Sequence, residues 1–235
     1  MERTNRKNII TLIIGIMTLM VTDLASQTPG CFFMETYARG DLSSWEQEIR
    51  KMESRTPDDF QTFSESLLAR YGYMGYLIGS NQTPKAKKFL EETENILEAW
   101  LKKKPGNARL LAIKAGLIGF RIGLSPVRAP FLGPRNVEAW EESIKKDPAE
   151  PMGWLEKGNS LLYRPAVFGG DSREAETAFR KALQLARPAE CDWLYRFIQV
   201  RVFESCKKNG KTSEADSIRK LLQQKPGHFR WIDTL

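Results

Sequence analysis

The chain has one histidine and three cysteines among its 235 residues, and it lacks any strand-length stretch in which apolar and polar residues alternate with period two. The missing alternation argues against β-structure, because a half-buried strand shows its side chains to opposite faces in turn. One histidine and cysteines without a CxxC spacing leave too few ligands for a zinc site built from these residues. No GxSxG, HExxH, P-loop or dinucleotide fingerprint is present. Carboxylate pairs such as Glu141-Glu142 and Asp58-Asp59 are neighbours on expected helices and point apart, which suits solvated faces better than acid–base chemistry. His228, after Pro226-Gly227, reads as a turn residue. The expectation is a protein that is not an enzyme, with no metal and no cofactor; a hydrolase using carboxylates is the weakest of three function classes.

Long apolar runs are scarce too. Ile9 to Val21, behind Arg3, Arg6 and Lys7, spans thirteen residues, the length of a signal-peptide core and short for a ~20-residue membrane span. Residues 1–26 are therefore expected to be a signal peptide cut before Gln27, and the mature protein to be exported, periplasmic or secreted. An uncleaved signal anchor and a lipidated Cys31 after Gly30 are the two routes to membrane association. Three cysteines are an odd number for an exported protein, so at least one stays free or pairs elsewhere. Cys191 and Cys206 are expected on one helix, about 22 Å apart, which is too far for a disulfide. Cys31 can pair with either.

What the chain does contain fits a sizeable globular core: 41% of residues are hydrophobic. The net charge is +7. Lys102 to Lys104, Lys145, Lys146, Lys207 and Lys208 fall at expected helix C-termini, where cations complement the helix dipole. That assignment is preferred to a nucleic-acid or anionic-membrane surface, since these clusters have no aromatic residues interleaved.

Prolines mark the organisation. Pro105, Pro148, Pro188 and Pro226 each follow an apolar-periodic helix, at steps of 43, 40 and 38 residues, the mark of a helical array. The expected pairs are residues 58–78 with 84–103, 108–122 with 135–146, 151–163 with 172–186, and 190–208 with 213–224. A helix over 42–53 precedes them. The domain reading is a linker over 27–41, a helical domain over 42–228, and a tail over 229–235. All-α is the expected class, as antiparallel helix pairs in an irregular right-handed solenoid.

The pair between Pro151 and Pro188 carries Trp154, Gly158 and Asn159 on its first helix, and Ala175, Phe179, Ala182 and finally Pro188 on or after its second. Spaced in this way, Gly158 lets a neighbouring helix approach, and the second helix offers a stripe small at both ends and large in the middle. This unit resembles a tetratricopeptide repeat. The flanking pairs match more loosely, with Leu111 and Ala115, or Trp193 and Phe197, at the corresponding positions. The loop Pro165-Ala166-Val167-Phe168-Gly169-Gly170-Asp171 replaces the family's tight turn and is echoed by Pro130-Phe131-Leu132-Gly133-Pro134. It is expected to tuck Phe168 between helices, with Asp171 capping the next helix. It is also similar to a loop in exported helical proteins that partner bacterial TRAP-type solute transport systems.

The resemblance implies a ligand along the concave face made by the first helices. That places Arg109, Phe120, Leu155, Asn159, Tyr163, Ile198 and Arg201 as partner-binding residues. Asn159 would engage a peptide backbone, and Arg109 or Arg201 a carboxylate. A protein or peptide partner in the cell envelope is the leading expectation, with no nucleic acid. A small-molecule or lipid carrier, or a transport-system accessory protein with a pocket between the repeats, is the alternative. The pattern does not decide the oligomeric state.

Overall fold

The computed structural model describes residues 28–55, 59–188, 191–225 and 227–235. The expected signal segment, Asp58, Glu190 and Pro226 lie outside the described residues. Ten α-helices follow one another, with no strand among the described residues: α1 (Pro29–Arg39), α2 (Trp45–Arg55), α3 (Phe60–Gly79), α4 (Thr83–Lys103), α5 (Ala108–Leu124), α6 (Ala129–Lys146), α7 (Pro151–Tyr163), α8 (Ser172–Leu185), α9 (Trp193–Lys208) and α10 (Thr212–Leu222). Side-chain caps start several of them. Asp59, Asn107, Asp171 and Asp192 accept backbone N–H groups at the openings of α3, α5, α8 and α9. Lysines occupy the last turns of α4, α6 and α9, as the charge pattern predicts.

Each helix from α2 to α10 packs on the next, and α3 also packs on α5 and α5 on α7. The pair α7–α8 follows its predicted register. A Cβ on Gly158 would lie 2.4 Å from the Phe179 ring, so only glycine admits this close crossing. Ala175, Phe179 and Ala182 are fully buried beneath it. Trp154 is half-buried, and its indole N–H donates to the Pro148 carbonyl at 2.9 Å. Pro188 lies past the end of α8, which stops at Leu185.

Four segments differ from the sequence reading. The expected linker 27–41 holds α1, capped by Thr28 and closed by Gly40 at φ +76°. The interval from Pro29 to Arg39 is rich in aromatic residues, and its helix buries Phe33, Tyr37 and Ala38. Helix α6 begins at Ala129 rather than Arg135 and carries Pro134 inside it, so the Phe131 segment is helical rather than a loop. Pro130 sits in the first turn, where the N–H has no helical partner, whereas Pro134 lies past that turn and withdraws one N–H from the helix ladder. Cys191 precedes α9 instead of lying on it. The expected tail packs inward: Phe229 and Ile232 are buried, and Phe229 holds φ +51° while its N–H donates to the Ala38 carbonyl at 2.6 Å.

Helix α1 joins the two ends of the chain. Cys31 forms a disulfide with Cys191, across 160 residues of sequence, while Cys206 is free and buried. The Cys31 sulfur is thereby taken, and a lipid thioether there is incompatible with this bond. Beside the disulfide, α1 lies on α9. The Tyr37 ring meets those of Trp193, Phe197, Phe229 and Trp231 at centroid distances of 6.1, 6.2, 5.7 and 5.5 Å. Trp45 of α2 reaches the same point, 5.2 Å from Trp193, and Gly72 of α3 leaves room for both indoles, which a Cβ would approach to 2.7 and 2.8 Å.

A second support was not legible in the sequence. Arg70 is 1% exposed and donates bidentately to Glu53 at 2.7 and 2.9 Å and to Glu92 at 3.0 Å, tying α2, α3 and α4 together.

Because the disulfide closes a loop this long, replacing Cys31 and Cys191 by serine is expected to lower the unfolding free energy by about 2–5 kcal/mol. Urea denaturation of the oxidised protein, the reduced protein and the double variant checks it. The reduced protein and the variant should unfold together.

Candidate functional site

The helices that open each pair, α3, α5, α7 and α9, converge on Tyr71. Its ring lies 5.2 Å from Phe120 of α5 and 6.1 Å from Phe197 of α9. Gly116 of α5 makes the approach possible, since a Cβ there would come within 2.5 Å of the Tyr71 ring. From α7, Asn159 Nδ2 donates to the Tyr71 hydroxyl at 3.1 Å and to Glu156 Oε1 at 3.2 Å. Glu156 is 3% exposed. Burial pushes its carboxyl up to about 7, against the opposing effects of hydrogen bonds from Tyr71 and Asn159 and of the Arg201 charge. Asn159 Oδ1 is buried with no hydrogen-bond partner among the described residues.

Arg201 of α9 borders this centre. Its guanidinium donates to the Tyr163 hydroxyl and to Glu204 Oε2, and lies 4.7 Å from the Phe197 ring centroid and 5.7 Å from that of Tyr163. Burial is the largest influence and works against its charge, but the Glu204 carboxylate and the oxygens of Tyr163, Tyr71 and Tyr37 together outweigh it and hold the guanidinium ionised. Arg201 Nε is buried and has no hydrogen-bond partner among the described residues.

From Arg201 outward the ends of α7 and α9 enclose a groove of about 420 Å³, lined by Leu162, Tyr163, Glu204, Lys207, Lys208 and the C-terminal Leu235. Tyr163 is 65% exposed and Leu235 45%. Lys208 Nζ reaches the Leu162 carbonyl at 3.0 Å, which satisfies an orphan acceptor at the end of α7 and fixes the groove's depth. An aromatic wall, an aliphatic edge and a cluster of cations suit a molecule with a flat or apolar body and acidic substituents.

The seven residues placed on the concave face separate into four groups. Tyr163 lines the groove, and Arg201 borders it through its hydrogen bond to Tyr163. Phe120 and Asn159 belong to the buried centre behind it. Leu155 and Ile198 are fully buried in the core, and Arg109 lies elsewhere, its Nε donating to both Glu150 oxygens at 3.2 and 3.1 Å. With Leu155 and Ile198 within the core, α1 adds to the cover of α9, where Tyr37 packs on Trp193 and Phe197. Lys207, Lys208 and Leu235 went unrecognised as site residues because the lysines also satisfy the dipole rule and Leu235 sits in the expected tail.

One further cluster has the composition of a metal site. Glu176, Cys206 and Glu214 bring ligand atoms within 4.8 Å of one another. Arg180 pairs with both carboxylates, at 2.8 and 2.7 Å, and Lys211 with Glu176 at 2.7 Å. The negative charge a cation would need is already neutralised.

Glu156 gives the buried centre a pH signature. Its carboxyl titrates near 7 when folded against 4.5 as its ordinary value. The neutral form is thus favoured by folding, and that stabilisation, complete below the ordinary value, is lost as pH rises through 7. Replacing Glu156 by Gln removes the titration. The stability of E156Q relative to the wild type should therefore rise between pH 5 and pH 8, by up to roughly 3 kcal/mol, in paired urea titrations across that range.

No protein-family model matches the chain, and no curated protein matches it. Among solved structures the chain is similar to the HusA haemophore from Porphyromonas gingivalis, at 16% identity with a TM-score of 0.57, over 72% of this chain and 86% of that one. At this identity the likeness is one of fold: an all-helical architecture shared over most of both chains.

Proposed function

We propose that this protein is a non-catalytic carrier that holds a small amphipathic anion in the groove between the ends of α7 and α9. The observation that carries the reading is the groove itself, where Tyr163 offers an exposed ring while Arg201, Lys207 and Lys208 supply positive charge around it. The fold likeness to a haemophore favours a small-molecule cargo, and a flat tetrapyrrole with acidic side chains such as haem has the matching chemistry. The peptide-binding reading has less support. The Asn159 amide nitrogen and Arg109, which it needs as free donors, are engaged within the protein, and Leu155 and Ile198 are sealed from solvent.

The helix pairs retain a tetratricopeptide-like arrangement in this reading, closed on itself by α1. Export fits the Cys31–Cys191 disulfide, which persists in an oxidising compartment. No helix among the described residues is long and apolar enough to cross a membrane.

Titration of the oxidised protein with haem, followed by its absorption band and by tryptophan quenching, should give saturable binding of one equivalent. Arg201→Gln and the pair Lys207→Gln/Lys208→Gln should each weaken it about tenfold or more, whereas Arg109→Gln should leave it unchanged. A titration that never saturates, or equal effects of all three changes, would contradict the groove as the binding site.

A further inference from the structure

Two stretches of the surface show large apolar side chains to solvent. Val127 and Phe131, at the start of α6, are 81% and 78% exposed; Val167 and Phe168, between α7 and α8, are 83% and 70% exposed. The sequence reading that Phe168 tucks between helices is corrected here. The 3₁₀ turn Ala166–Phe168 is held by the Pro165 and Ala166 carbonyls, which accept from Phe168 and Gly169 at 2.9 Å each, and this turns its apolar side chains outward. Gly170 has no space for a Cβ, which would fall 1.8 Å from the Arg164 carbonyl oxygen, so the exposed turn is held firmly.

The two stretches share one edge of the molecule. Ser160 near the end of α7 donates to Asn136 Oδ1 of α6 at 2.7 Å and accepts from Arg164 at 2.6 Å, which joins the opening of α6 to the base of the second loop. Residues 126–135 and 164–173 together contain four arginines and one carboxylate. That carboxylate, Asp171, accepts the Arg173 and Glu174 backbone N–H groups at 2.8 and 3.0 Å. Arg128, Arg135 and Arg173 are exposed beside the apolar tips. Lys207 and Lys208 extend the positive charge along the same edge, since they line one groove with Tyr163, the residue before Arg164.

From this arrangement we infer that the edge docks onto an anionic lipid surface, with Phe131 and Phe168 entering the head-group region and the surrounding arginines meeting lipid phosphates. Apolar tips flanked by cations have the composition of an interfacial membrane contact. Charge complementarity selects this occupant over a second copy of the chain, whose edge would carry the same positive charge. Four side chains on two short protrusions also fall well short of the ~800 Å² that each partner of a stable protein interface buries. The aromatic residues missing from the lysine clusters of the sequence are supplied here by the first turn of α6 and by the Ala166–Phe168 turn, distant from those clusters along the chain. The inference does not depend on which ligand the α7–α9 groove holds.

The test uses the full chain with Val167→Cys carrying a polarity-sensitive fluorophore, so that the signal reports this edge whatever else touches the membrane. Vesicles of phosphatidylcholine with phosphatidylglycerol should raise and blue-shift the emission, and phosphatidylcholine alone should not. Adding Phe131→Asp with Phe168→Asp should weaken the response roughly tenfold or more, and about 0.5 M salt should suppress it. Both side chains are solvent-exposed, so the variant should keep the wild-type dichroism spectrum. An unchanged probe signal with anionic vesicles would overturn the inference, as would a response indifferent to the two aspartates. Concentration-dependent self-association abolished by those aspartates, without a vesicle response, would instead assign the edge to a second copy and overturn it equally.

Discussion

The seating of α1 against α9 is the contact on which the rest of the structure depends. Helix pairs stacked in sequence leave their first helices facing a common concavity, and such a surface either stays open for a partner or must be covered. Here Leu155 and Ile198 are fully buried, Tyr37 of α1 packs among Trp193, Phe197, Phe229 and Trp231, and the Cys31–Cys191 bond holds α1 in place. The amino-terminal helix and the last residues of the chain thus become part of one core, although nearly the whole sequence lies between them. An aromatic cluster of this kind contributes more than its buried area, because edge-to-face geometry is favoured for each pair.

Covering the inner face displaces the place where a ligand can sit. Polar groups that a repeat protein would offer to a peptide are turned upon one another around Tyr71, and the Glu156 carboxyl is buried deeply enough to favour its neutral form near neutral pH. At the ends of α7 and α9 the arrangement opens, and there Arg201 connects the buried centre to the groove through Tyr163 and Glu204. A ligand at that rim would touch a residue rigidly tied to the core, which limits the side-chain ordering that binding has to impose.

Much of this was legible from local signals, and the rest was not for a physical reason. The proline ladder, the Gly158–Phe179 crossing and the capping residue Asp171 act over a few residues or one helix pair, so spacing reveals them. Helix α1 was missed because its eleven residues have only a modest apolar stripe, and its stability comes from packing on residues about 160 positions later. Arg70 looked like any helix-surface cation until its carboxylate partners came from two other helices. The site follows the same rule. Of the residues the repeat register singles out, Tyr163 lines the groove while Leu155 and Ile198 are core, and Leu235 joins the groove only through the fold of the tail.

The central claim is that binding occurs at the rim of α7 and α9 while the inner face stays closed. Backbone amide chemical-shift mapping of the oxidised protein with saturating metal-free protoporphyrin tests it most directly. The account predicts that the largest changes fall on residues 162–163, 204–208 and 235. Dominant changes at 155 and 198, on the closed inner face of α7 and α9, would contradict it.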